Sequence, residues 1–189
     1  DHRLVLITGP AGCGKTTLLA QYTSALTTPT AWYRVDAGDR REAALLCHMG
    51  QALATVVPGL DRDAGAGWRS GAEAADALER VAAERVVLAL DDLHELAGSP
   101  AEAALGELVE LAPPWLVLAA TCRQAPGWNL PRLRVSGALR EIAHDDLRFR
   151  SWEVERLFAD VYGEPLPPGD VAQLARGLEG WAAGLQLFH

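Results

Sequence analysis

The residues best equipped for chemistry are Gly9-Pro10-Ala11-Gly12-Cys13-Gly14-Lys15-Thr16-Thr17, which fit the spacing G-x-x-x-x-G-K-[ST]. They follow the apolar run Leu4 to Ile7 and precede a helix-like stretch, Leu18 to Tyr22. A strand, a glycine-rich turn and a helix start, in that order, let backbone N–H groups converge on a polyphosphate at the positive end of a helix. The glycines let the backbone approach that closely. Lys15 is placed to reach the β- and γ-phosphates as a point charge. The Thr16 hydroxyl is placed to be one ligand of a Mg²⁺ that keeps most of its water. Thr17 falls on the α-phosphate side. The expected ligand is therefore a triphosphate with Mg²⁺. Lys15 is also the sole lysine of the chain, the other sixteen Lys and Arg positions all being arginine.

A second constellation is Asp91-Asp92-Leu93-His94, directly after the unbroken apolar run Val86 to Leu90. Such a run suits a parallel strand covered on both faces, and acids at its C-terminal edge stand where α/β sheets bind ligands. This is the Walker-B arrangement. Two adjacent acids there divide the work around a Mg-nucleotide, Asp91 holding the metal through water and Asp92 polarising the attacking water. Neighbouring residues on a strand point to opposite faces, so the two carboxylates separate only as the strand ends and twists. The plainer reading is a solvated acidic turn or a helix cap, and the phosphate loop upstream weighs against it. His94 and Glu95 either orient Asp92 or cap the segment that follows. Thr121-Cys122-Arg123 brings a hydroxyl and a cation to the end of a fourth strand, so Arg123 is either a γ-phosphate contact or an ordinary surface arginine.

These groups require an alternation of strands and helices. The spacing predicts a helix from the phosphate loop to about Ala25, a strand over Ala31 to Val35, and a helix over Arg40 to Val57 with a buried stripe at Ala44, Leu45, Met49, Leu53 and Val56. Trp32 and Tyr33 read as core. Pro58 to Gly71, with four glycines, reads as an exposed loop, and Ala72 to Ala83 as a helix. Ser99-Pro100-Ala101-Glu102 is a capping box with Pro at the first helical position, so a helix runs from Pro100 to about Leu111. Trp115 to Ala120 is the fourth strand and Leu139 to Ile142 a short fifth. From Ser151 the pattern is helical only: Trp152 to Tyr162, Asp170 to Leu178 starting at Asp170-x-x-Gln173, and Trp181 onward. The apolar stripes expected there are Trp152, Leu157, Phe158 and Val161, then Val171, Leu174, Leu178 and Leu185. The expected division is an α/β domain over 1–143 and a small helical lid over 144–189.

Composition narrows the partners. A formal charge of −8 with scattered arginines argues against a nucleic-acid surface in this piece. No run approaches the length of a membrane span, and the first strand begins at once without a signal-peptide pattern, so a cytoplasmic protein is expected. Cys13, Cys47 and Cys122 form no C-x-x-C and read as free, buried thiols.

Taken together, Gly9 to Thr17, Ala31 to Asp39, Leu90 to His94, Thr121 to Arg123, Leu147-Arg148-Phe149 and Gly180 to Leu187 resemble the ATPase module of the STAND class. More narrowly, they resemble that of the MalT-type, large LuxR-family transcriptional activators. Cys122 stands where Ser is more usual. The resemblance implies an α/β P-loop NTPase of the additional-strand (ASCE) type, with a mostly parallel five-stranded sheet flanked by helices and followed by the lid. It also implies an ATP/ADP switch in which ADP holds a closed monomer, and an inducer with ATP opens it for self-association. DNA would then be bound only through domains outside these 189 residues, and the chain reads as a fragment that stops inside its last helix. Two other readings use the same residues. One is a nucleotide-binding scaffold with ADP as a structural ligand. The other is a P-loop kinase, for which Arg148, Arg150 and Arg156 would have to gather on the phosphates.

Overall fold

The computed structural model describes residues 2–61, 63–81 and 84–189. Five strands, β1 (Leu4–Thr8), β2 (Thr30–Arg34), β3 (Val86–Asp91), β4 (Leu116–Cys122) and β5 (Leu139–Ile142), form one sheet in the order β2-β3-β4-β1-β5. Every neighbouring pair is parallel. β4 therefore lies between the phosphate-loop strand and the strand that ends in Asp91, which is the additional-strand order.

Every residue of β3 and β4 is buried, because helices cover both faces of the sheet centre. On one face Leu6, Leu88, Leu90 and Leu118 pack with α2 (Glu42–Ala54), α3 (Gly71–Glu79) and α4 (Pro100–Leu111). On the other, Ile7, Val87, Ala89 and Ala119 meet Leu19 of α1 (Lys15–Ser24). α4 begins as its sequence demands: Ser99 caps the N–H of Glu102, whose carboxylate accepts from Gly98 N at 2.7 Å.

Several expectations are corrected by tertiary packing. Trp32 is 40% exposed rather than core. It belongs to the edge strand, on the side that α1 covers only over β1, β3 and β4. The Pro58 to Gly71 stretch is not wholly exposed, since Gly65 and Trp68 are buried against α2. A Cβ on Gly50 would stand 2.5 Å from Gly65 Cα, so two glycines allow this close approach. α2 is consequently covered on a second side, and Leu46 and Gly50 join Leu45, Met49 and Leu53 in burial, whereas Ala44 and Val56 are only half-buried. Cys47 is half-buried too, while Cys13 and Cys122 are buried. The helix expected over Ala72 to Ala83 is seen to Glu79; Ala82 and Ala83 lie outside the described residues. A short helix escaped the periodicity: α5 (Leu130–Val135), capped by Asn129.

After β5 the described elements are helical: α6 (His144–Leu147), α7 (Ser151–Arg156) continued by a π-helical stretch at Leu157–Tyr162, α8 (Pro168–Gly177) and α9 (Ala182–Phe188). Val154, Phe158, Val171 and Leu185 make a small core of their own. Trp152 and Val161, expected in that stripe, are 53% and 70% exposed. Trp152 is two positions from Val154 and faces away from it, and the wider π turn rotates Val161 outward. α8 starts two residues before Asp170, because Pro168 sits in its first turn.

At the C-terminal end of β2, the fully buried Asp39 accepts hydrogen bonds from Tyr33 Oη (2.6 Å) and Asp36 N (2.9 Å) and pairs with His48 Nδ1 at 2.7 Å. Burial alone pushes the Asp39 carboxyl up, but the bonds from Asp36, Tyr33 and His48 outweigh it and hold it below its ordinary value. Burial pushes the Tyr33 phenol up, and the same carboxyl adds to the shift. A carboxyl depressed in the fold stabilises above its unfolded pKa and loses that contribution as pH falls through its folded value. Asp39→Asn should therefore cost about 1–3 kcal/mol near neutrality. Urea midpoints should show a shallower decline for the variant than for the parent from about pH 5 downwards.

Candidate functional site

The turn after β1 is built by its glycines. Gly12 and Gly14 have φ of +73° and +87°, where a side chain is strained, and Gly9 N bonds to Cys122 O at 3.2 Å. Gly14 precedes α1, so the loop delivers its backbone to that helix start. Lys15 is buried, and its Nζ donates to Pro10 O at 2.7 Å and lies 3.9 Å from Cys13 Sγ.

The acidic pair separates as the end of the strand requires. Asp91, the last residue of β3, is buried and accepts from Thr16 Oγ1 (2.9 and 3.1 Å to its two oxygens) and from Thr121 Oγ1 (2.6 Å). Asp92 leaves the strand in a left-handed conformation with φ of +59°, its N–H donating to Thr121 Oγ1 at 3.0 Å. One buried hydroxyl thus ties both acids to β4. Sequence reasoning noted this hydroxyl but not its two bonds, and it missed Arg34. Arg34 stands opposite Asp91 in the β2–β3 register, and its Nε and Nη2 donate to Asp92 Oδ2 at 3.0 and 2.8 Å. The available signal was that β2 ends in a cation, which acquires meaning only once β2 is known to flank β3. His94 does not hold Asp92: its Nδ1 is 3.9 Å from the carboxylate, and its ring nitrogens have no hydrogen-bond partner among the described residues.

These groups border one cavity of about 390 Å³. Ala11, Gly12, Gly14, Lys15, Thr16 and Thr17 line it from the loop, and Arg34, Asp92 and Arg123 line it from the sheet edge. Gly9, Pro10, Cys13 and Asp91 stand behind that wall, shaping the loop or holding Thr16. Three cations around one tethered carboxylate suit a polyanion. Next to Lys15, the Cys122 thiol is pushed up to about 12 by burial, which outweighs the opposing pull of the Lys15 charge, so it stays protonated.

The third wall comes from the far end of the chain. Trp181 Nε1 donates to Ala11 O at 3.2 Å, and Ala183 N to Gly12 O at 2.9 Å. The segments Leu147-Arg148-Phe149 and Glu179-Gly180 meet outside the cavity lining: Phe149 N donates to Gly180 O at 2.9 Å, and Arg148 Nε to Glu179 O at 2.7 Å. Gly180, at φ of +72°, lies so close to Phe149 that a Cβ would stand 2.5 Å from its carbonyl oxygen. Arg148 pairs with Glu179 and Arg156 with Asp160, and neither of these nor Arg150 lines the cavity.

Sheet order, glycine loop and an acid-tipped interior strand define a P-loop ATPase, and residues 1–119 match the model of the AAA ATPase domain. The chain belongs to that family. Over its whole length it is similar to MalT-type regulators: it is 29% identical to the HTH-type transcriptional regulator MalT of Cronobacter sakazakii over 196 residues, covering 100% of this chain and 22% of MalT. It is also 32% identical to the serine/threonine-protein kinase PknK of Mycobacterium tuberculosis, covering 98% of this chain and 18% of PknK. The chain thus spans about a fifth of the length of these relatives. Among solved structures, the Thermotoga maritima RuvB Holliday junction branch migration motor superposes with a TM-score of 0.52 at 20% identity, over 99% of this chain and 52% of RuvB. The Aeropyrum pernix ORC1 protein, in a complex with DNA, superposes with a TM-score of 0.54 at 18% identity, over 98% of this chain and 52% of that one. Both share the fold.

Proposed function

We propose that this chain is the ATP/ADP-binding switch domain of a transcriptional activator, a slow ATPase whose nucleotide state controls self-association. The observation that carries the proposal is the shared cavity, in which the phosphate loop, a tethered carboxylate and the last helical segment all face one space. Residues 1–143 form the nucleotide-binding domain and 144–189 its lid. The backbone of Gly12 to Thr17 and the Lys15 ammonium bind the phosphates, and Arg123 meets the γ-phosphate. Thr16 and Asp91 already share hydrogen bonds, and they fit a Mg²⁺ held directly by the hydroxyl and through water by the carboxylate. When bound, that ion neutralises charge on the β- and γ-phosphate oxygens. Asp92 orients the attacking water and takes up its proton.

Arg34 occupies one oxygen of Asp92 with two N–H groups, which leaves only the other oxygen free to meet water and supports slow turnover. The same clamp favours a second reading, a scaffold with ADP as structural ligand and negligible hydrolysis. Among the described residues no helix is long and apolar enough to cross a membrane. DNA, an inducer and the oligomer partners belong to the full-length protein, in the cytoplasm. A single-turnover assay with labelled ATP tests the reading. Mg²⁺-dependent phosphate release on the order of 10⁻³ to 10⁻² s⁻¹ is expected, between the intrinsic rates of unassisted and arginine-assisted GTPases. Tight ADP binding without any release establishes the scaffold instead, and transfer of the label to a second molecule establishes a kinase.

A further inference from the structure

The cavity has polar side chains on its loop wall and on its sheet wall, and on its helical wall it has a single one, Gln186. The rotation of α9 that puts it there is locked on three sides. Leu185 is fully buried in the small helical core. Gly184 has no space for a side chain, since a Cβ would stand 2.8 Å from the Trp181 ring. The start of the helix is bonded to the loop through Ala183 N and Gly12 O, where a Cβ on Gly12 would stand 2.7 Å from the Ala183 methyl. With those faces committed, Ala182, Ala183 and Gln186 share the face toward the cavity, one turn apart. Leu187 and Phe188 point outward, 81% and 59% exposed. The two alanines have no polar side-chain atom, and the cavity cations Lys15, Arg34 and Arg123 all come from the α/β part.

We propose that Gln186 is the side chain through which the lid reads bound phosphate, its amide N–H₂ donating to a phosphate oxygen opposite the loop. This rests on the nucleotide reading above. A neutral amide suits the position because it can donate without adding a fourth cation. Gln186 is exposed and its side chain makes no hydrogen bond among the described residues, so its substitution leaves the protein folded.

The test compares the parent chain with Gln186→Ala, Gln186→Glu and Gln186→Asn, using Mg-ATP and Mg-ADP as the probes. Calorimetric titration should show about a tenfold loss of affinity for Gln186→Ala, the loss of one hydrogen bond to a charged group. Gln186→Glu should lose more, by repulsion, and Gln186→Asn should be no better than alanine because it is one methylene short. At saturating nucleotide, hydrogen exchange should show Gly9 to Thr17 protected in every variant, with the nucleotide-induced protection of Ala182 to Phe188 present in the parent and lost in all three variants. Affinity within twofold of the parent together with retained protection of α9 overturns the assignment of Gln186 and leaves the phosphate-loop reading standing. Failure of the parent itself to bind either nucleotide overturns both.

Discussion

Lys15→Ala is expected to abolish tight nucleotide binding. The ammonium is the one cation rooted in the loop itself, buried and pointed along the loop by Pro10 O, so on the proposed reading phosphates would gain from it two charge-assisted bonds at little cost in ordering. Each such bond contributes about 1.5–3 kcal/mol, and losing both lowers affinity by roughly two to four orders of magnitude. A ligand at 100 times its Kd stabilises the parent by about 2.7 kcal/mol. In a domain of this size that raises Tm by about 5–10 °C. The variant should show no Mg-nucleotide shift while keeping close to the parent melting temperature without ligand. A shift equal to the parent's would remove the phosphate-loop reading.

Asp92→Asn should keep nucleotide binding and slow hydrolysis by about 10²–10⁴-fold, the range expected when a positioned general base is lost. The amide oxygen still accepts from Arg34, so the αL turn and the cavity wall remain in place. Asp91→Asn should act differently. Asp91 lies behind Thr16, where on the proposed reading its charge serves the metal, and the change should weaken ATP binding in Mg²⁺ far more than in EDTA. Single-turnover rates and paired titrations with and without Mg²⁺ separate the two. Equal effects of both variants on both steps would mean that the roles have been divided wrongly.

What was legible in the sequence was local. Gly9 to Thr17, the run before Asp91 and the Ser99 cap encode their structure within a few residues, through φ preference, burial on both faces and reciprocal hydrogen bonding. The stripes failed where cover comes from elsewhere. Leu46 is buried because a distant glycine turn lies on α2, and Trp32 is exposed because its strand is an edge. Neither fact has a local signature.

The site divides along the same line. By itself the sequence pointed to the groups proposed to handle phosphate and metal: one lysine in a glycine loop, a threonine after it, and two acids after an apolar strand. Only the tertiary structure decided which of these share a space and what restrains them. Arg34 meets Asp92 across 58 positions, and Trp181 meets Ala11 across 170. Such contacts depend on strand order and on how a separate helical core docks. Periodicity sets which face an element buries, but the neighbour it buries that face against is selected by the packing of the whole chain.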